Sequence, residues 1–136
     1  PYTTLFRSDA QVSVFSIDDK RTVFSHSFEN AMCILSFCEI GDSIFFATIA
    51  RDKSKGCSLY AFSKANSDIT KKASYPDDGI YAMSWDGADN IYIGTSGHPR
   101  LLAYNRKNNS TQCLLENFSK ETYIQSLTYI NNYLNH

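Results

Sequence analysis

Long hydrophobic runs are missing from this chain. The longest, such as Ala31–Leu35 and Ile44–Ala47, fall far below the roughly 18 residues that a membrane helix needs, so no membrane span is expected. Neither sign of charge dominates: 13 Lys and Arg stand against 14 Asp and Glu, a formal net charge of −1. Without a basic field to hold a phosphate backbone, nucleic acid is not an expected partner. Glycine and proline are sparse, at six and three in 136 residues, which excludes collagen-like and low-complexity chains. The chemistry-bearing motifs are absent too: there is no Cys-x-x-Cys, no phosphate-binding glycine loop, no serine-nucleophile elbow and no zinc-ligand spacing. No metal or cofactor is therefore expected, and no residue is assigned a catalytic role. A length of 136 residues suits one domain or a piece of a larger one.

What is abundant is β-forming sequence. Runs of 5 to 8 residues rich in Ile, Val, Tyr, Phe and Thr alternate with turn signals such as Gly41-Asp42, Lys64–Asp68, Asp86–Asn90 and Asn105–Asn109. These runs suit half-buried strands and lack both the length and the 3.6-residue spacing of helices. The pattern predicts eleven strands, at about 11–17, 21–28, 31–38, 43–49, 57–63, 68–74, 79–85, 90–95, 100–105, 111–116 and 123–129, with a twelfth starting at Tyr133.

Self-comparison reveals a repeat. Ile44–Thr48 aligns with Ile91–Thr95 at a spacing of 47. Val12–Phe15, Leu59–Phe62 and Leu101–Tyr104 are three copies of another strand. Met32–Phe37, Ile80–Trp85 and Ile124–Tyr129 share an aliphatic pair, a hydroxyl and an aromatic. Four short strands in each period of 42 to 48 residues predict an all-β fold, a partial β-propeller built from four-stranded antiparallel blades. Ile80–Trp85 is the expected innermost strand and Thr111–Leu115 the outermost. The expected layout is the outer half of one blade over 9–29, complete blades over 30–75 and 78–117, and the start of another over 122–136. About three blades of a ring of six to eight are thus expected, with the remaining blades of the same chain as the partners that complete it.

The run Asn90–Asn105, with Ile93-Gly94-Thr95 followed by Leu101-Leu102-Ala103-Tyr104-Asn105, resembles the blade repeat of bacterial sensor-type and quinoprotein-like propellers. The other complete blade departs from it, with Ala47 in place of Gly94 and an insertion at Arg51–Gly56. The Gly-His and Trp-Asp signature of WD-repeat blades is absent, since Trp85-Asp86 ends an innermost strand. The resemblance implies a binding or scaffold role for a small-molecule, glycan or protein ligand, in a periplasmic or extracellular rather than a cytoplasmic setting. The alternative it leaves open is a piece of a carbohydrate-active propeller lyase or hydrolase. Residues 1–8 resemble the translation of a short-read sequencing adapter, so the native chain is expected to begin at about Asp9 and to continue beyond His136.

In a propeller, the loops entering each innermost strand and those joining the second and third strands emerge on one face. Here that face is expected to collect Tyr75–Gly79, the insertion Arg51–Gly56, Ser96–Arg100, Lys120 and Glu121. The candidate ligand-binding residues are Tyr75, Asp77, Asp78, Arg51, His98 and Arg100. Carboxylates beside guanidinium groups and an aromatic ring match a polar ligand such as a sugar or a peptide. The plainer reading of Pro76-Asp77-Asp78-Gly79 is turn chemistry. His98 is a candidate acid or base, yet neither it nor His26 or His136 has a partner at metal or triad spacing. Asp86–Asn90 is weakly calcium-like, though a β-turn explains it better. The four cysteines are expected to be small buried thiols.

Overall fold

A computed structural model describes residues 9–117 and 123–130. It contains ten strands and one short 3₁₀ turn, with no α-helix among the described residues. The strands are β1 (Gln11–Ser16), β2 (Arg21–Ser27), β3 (Ala31–Ile40), β4 (Ser43–Ala50), β5 (Cys57–Ser63), β6 (Asp68–Tyr75), β7 (Gly79–Trp85), β8 (Asn90–Ser96), β9 (Leu101–Asn105) and β10 (Ser110–Leu115). Strands β3 to β6 form one antiparallel meander and β7 to β10 a second, while β1 and β2 form a separate hairpin. The two meanders touch edge to edge through the single pair Ile49 and Gly79, with the innermost strands β3 and β7 side by side. This is the all-β, partial propeller architecture that the repeat predicts.

Period-2 alternation is what lets the first blade serve two neighbours. Along β4, Phe45 and Ala47 face the second blade, joined there by Cys57, Leu59 and Ala61 of β5 and by Ile80, Ile91, Ile93, Leu102 and Tyr104. The intervening residues Ile44 and Phe46, with Tyr60 and Phe62, face the other way, onto Val12, Val14, Phe24 and Phe28 of the hairpin segment. Successive side chains of a strand point to opposite faces, so a strand covered on both sides reads as a nearly continuous apolar run. Complete burial of residues such as Phe46 and Leu59, both 0% exposed, stabilises the fold by roughly 1.5–3 kcal/mol each.

The Thr shared by the repeats has a local job. Thr95 is fully buried; its hydroxyl accepts from the Arg100 amide at 2.8 Å, closing the β8–β9 loop. Thr48 does the same for the longer β4–β5 loop, accepting from the Ser58 amide at 3.0 Å. That longer loop contains the 3₁₀ turn Lys53–Lys55, capped by Asp52. It is anchored by Asn30, whose Oδ1 accepts from the Asp52 amide at 2.7 Å. Asp86 is a turn former: its Oδ1 accepts from the amides of Ala88 at 2.7 Å and Asn90 at 3.2 Å. No group of three His, Cys, Asp or Glu suited to a metal occurs among the described residues, and no helix there is long and apolar enough to cross a membrane.

Two expectations need correction. The strand predicted over 123–129 is reduced to one isolated bridge, Tyr123 with Ser96. The Ile124 amide donates to the Thr95 carbonyl at 3.1 Å and the Tyr129 amide to the Ser84 hydroxyl at 3.0 Å, but among the described residues no strand pairs with the segment to make a ladder. Of the cysteines, all four are free and only Cys57 is fully buried; Cys113 is exposed because outermost β10 lies open along its length. The adapter-like residues 1–8 and the start of a twelfth strand at Tyr133 lie outside the described residues.

Candidate functional site

Asp78 stands where the two blades meet. Its amide donates to the Ser96 carbonyl of β8 at 3.2 Å, and its carbonyl accepts from the Ala50 amide of β4 at 2.8 Å. The backbone is thereby tied to both blades, and the carboxylate is left at their shared end. Gly97, with φ of +95°, passes so close that a Cβ there would lie 2.6 Å from the Asp78 Oδ2; only glycine allows both the left-handed backbone and this approach. Lys53, from the insertion, brings its ammonium to 3.7 Å from the same carboxylate.

Two adjoining pockets share Asp78. One, of about 180 Å³, is lined by Pro76, Asp77, Asp78, His98 and Arg100. The other, of about 360 Å³, is lined among others by Met32, Lys53, Asp78, Tyr81 and Tyr123. The Tyr81 and Tyr123 rings lie 4.8 Å apart at 31°. Three successive repeats therefore contribute to one concave surface, through β3, β7 and the segment beginning at Tyr123.

The sequence-predicted residues divide into those that line this surface and those that build it. Asp77 and Arg100 form a two-point ion pair, Nε to Oδ2 at 3.0 Å and Nη2 to Oδ1 at 2.6 Å. The Asp77 side chain is only 4% exposed. Donating hydrogen bonds to Asp77 raises the Arg100 pKa further above its ordinary value. Asp77 is thus largely consumed in fixing the β8–β9 loop to the turn before β7. Tyr75 turns away: its ring is in the core between the blades, and its hydroxyl pairs with the Thr111 hydroxyl at 2.8 Å. Burial pushes the Tyr75 phenol up. Beside it Cys57 is pushed up to about 12, first by burial and then by the Asp77 charge. Arg51 lies on the hairpin side, with Nε 3.4 Å from the Asp9 carboxylate, and lines neither pocket. Lys120 and Glu121 lie outside the described residues.

Met32, Tyr81 and Tyr123 were not legible as lining residues. Met32 falls at a register shift between Ala31 and Cys33, and Tyr81 at one between Ile80 and Ala82. Each is the extra residue of a β-bulge, and a bulge re-aims a side chain out of the ordinary alternation. The repeat of the bulge in both innermost strands is the signal that would have found them, had pairing register been visible in sequence.

Strand order and blade seams define the class of this chain, a partial β-propeller. No protein-family model matches it, and no curated protein matches it significantly.

Proposed function

We propose that this chain is a non-catalytic binding module, part of a larger propeller of six to eight blades related to the bacterial sensor-type and quinoprotein-like group, and that it holds a polar ligand such as a glycan or a peptide at the mouth of the central channel. The observation that carries this reading is the convergence on Asp78: a carboxylate tied into both blades, a mobile-length Lys53 side chain, a tyrosine pair and the Asp77–Arg100 clamp, all around two adjoining pockets. Aromatic rings offer flat apolar area, and Asp78 and Lys53 offer an acceptor and a donor for hydroxyl or amide groups. Small-molecule sites of propellers and other folds combine such features in concave surfaces.

The test is a combined glycan and peptide microarray probed with the labelled 136-residue chain, followed by Asp78→Asn and Tyr81→Ala on any ligand retained. Retention that drops about tenfold or more in both variants, as expected for losing a charge-assisted hydrogen bond or an aromatic contact, supports the reading. Absence of retention, or retention indifferent to both changes, overturns it.

A further inference from the structure

A second pocket lies away from the channel mouth, in the seam between the β1–β2 hairpin and the first blade. It has a volume of about 520 Å³, within the range usual for small-ligand sites. The end of β2 and the turn after it form one wall through His26 and Glu29, and the insertion loop and the outer strands β5 and β6 form the other through Lys55, Ser58, Tyr60 and Lys71. Two lysines thus border one cavity, together with Glu29. Among the described residues neither Lys55 nor Lys71 has a carboxylate within ion-pair distance, and the Lys71 ammonium lies 5.9 Å from the centre of the Tyr60 ring.

The other seam is bridged by side chains. There, Tyr75 bonds Thr111 across the blades, and Asp77 neutralises Arg100. On the hairpin side the Ser58 and Ser74 hydroxyls pair with each other within the first blade, 3.4 Å apart, and neither lysine has a carboxylate within ion-pair distance among the described residues. Two cations with no carboxylate at ion-pair distance, on a concave polar surface with an aromatic wall, suit an oxyanion attached to a small organic body. A phosphate ester carries close to two negative charges near neutral pH, enough for two ammonium groups.

We propose that this pocket binds a small phosphate ester of sugar size, with the phosphate held by Lys55 and Lys71, the organic part lying along Tyr60, and Glu29 accepting from its hydroxyls. The test uses the full 136-residue chain titrated calorimetrically with ribose 5-phosphate, with ribose and inorganic phosphate as comparisons. Saturable binding of ribose 5-phosphate, tighter than either comparison, is expected. Lys55→Gln and Lys71→Gln should each weaken it about tenfold or more, whereas Lys64→Gln, which removes the partner of Glu39 elsewhere on the blade, should leave it unchanged. Lys55 and Lys71 are both exposed, and equal melting temperatures of the variants will establish that folding is intact. No saturable binding at 10 mM ligand, about the weakest affinity a specific site of this kind would show, overturns the proposal. Binding unaltered in the Lys55→Gln, Lys71→Gln double variant also overturns it, and inorganic phosphate binding as tightly as the ester overturns the role of Tyr60 and Glu29.

Discussion

The first blade meets a neighbour on each face, and its two seams are closed by different chemistry. Toward the hairpin the contact is aromatic: Phe46 sits among Phe28 at 5.4 Å, Phe37 at 6.0 Å and Tyr60 stacked at 5.6 Å. Toward the second blade it is mainly aliphatic, with Leu59, Ile80, Ile91, Ile93 and Leu102 at its centre, and its loop end is sealed by Tyr75 with Thr111 and by Asp77 with Arg100. A sealed seam excludes water and fixes the loops around it. The hairpin seam is crossed by Arg51 with Asp9 and also borders a cavity with a polar lining. The two seams of one repeat therefore differ in the polar side chains that bridge and line them.

The largest expected effects are a matched pair of substitutions, one in each seam. Phe46→Ala should cost about 3–5 kcal/mol by opening a cavity among the rings. Asp77→Ala should cost a similar amount, about 3–5 kcal/mol, because it strands the partly buried Arg100 charge; urea unfolding of both variants checks the two. If Asp77→Ala proves as mild as a surface change, the seal is not what holds the second seam. Replacing both partners, with Asp77→Leu and Arg100→Met together, should recover much of the loss.

An alkaline titration separates the seams further. Cys57, Tyr75 and Tyr104 all lie in the sealed seam, and burial is the main cause of the upward shift of each. A raised pKa means that the folded state keeps the proton longer. The stabilisation is then fully present below the unfolded pKa and is lost as pH rises through the folded one. For Cys57 that window runs from its ordinary value of 9.0 to about 12. Melting temperature should fall through this range, and Cys57→Ser should leave a shallower fall; a pH-independent melt would contradict the burial of the three groups.

The smallest effect expected is that of Tyr75→Phe, about 1 kcal/mol, from the loss of one neutral hydrogen bond across the sealed seam. Chemical unfolding resolves a change of that size. Should the variant instead bind ribose 5-phosphate at a second site, the Tyr75–Thr111 contact would be shown to be what keeps that seam closed.

Particular residues mark what was readable in the chain. The strands from Gln11 to Leu115 were legible because each blade alternates or runs apolar over a few residues between turn formers such as Asp86 and Asn105. The recurrent Thr48 and Thr95 were legible as a repeat, although their task of closing a loop was not. Asp78, His98 and Arg100 were legible as a cluster because loop order around a propeller follows from strand order. Tyr75 misled, since an aromatic beside a turn gives no sign of whether its ring enters the pocket or the core. The segment 123–129 misled for a related reason: strand-forming sequence needs a partner edge, and its neighbours in the chain supply one bridge.

By itself, then, the amino-acid sequence determined the all-β character, the period of the blades and the face on which the loops gather, because alternation and turn chemistry are local properties of a few adjacent residues. Only the tertiary structure decided the bulges that set Met32 and Tyr81 on the pocket beside Asp78, the neutralisation of Asp77 by Arg100 and the cavity bordered by Lys55 and Lys71. Those outcomes depend on pairing register and on contacts between residues far apart in the chain, and such contacts carry no local mark.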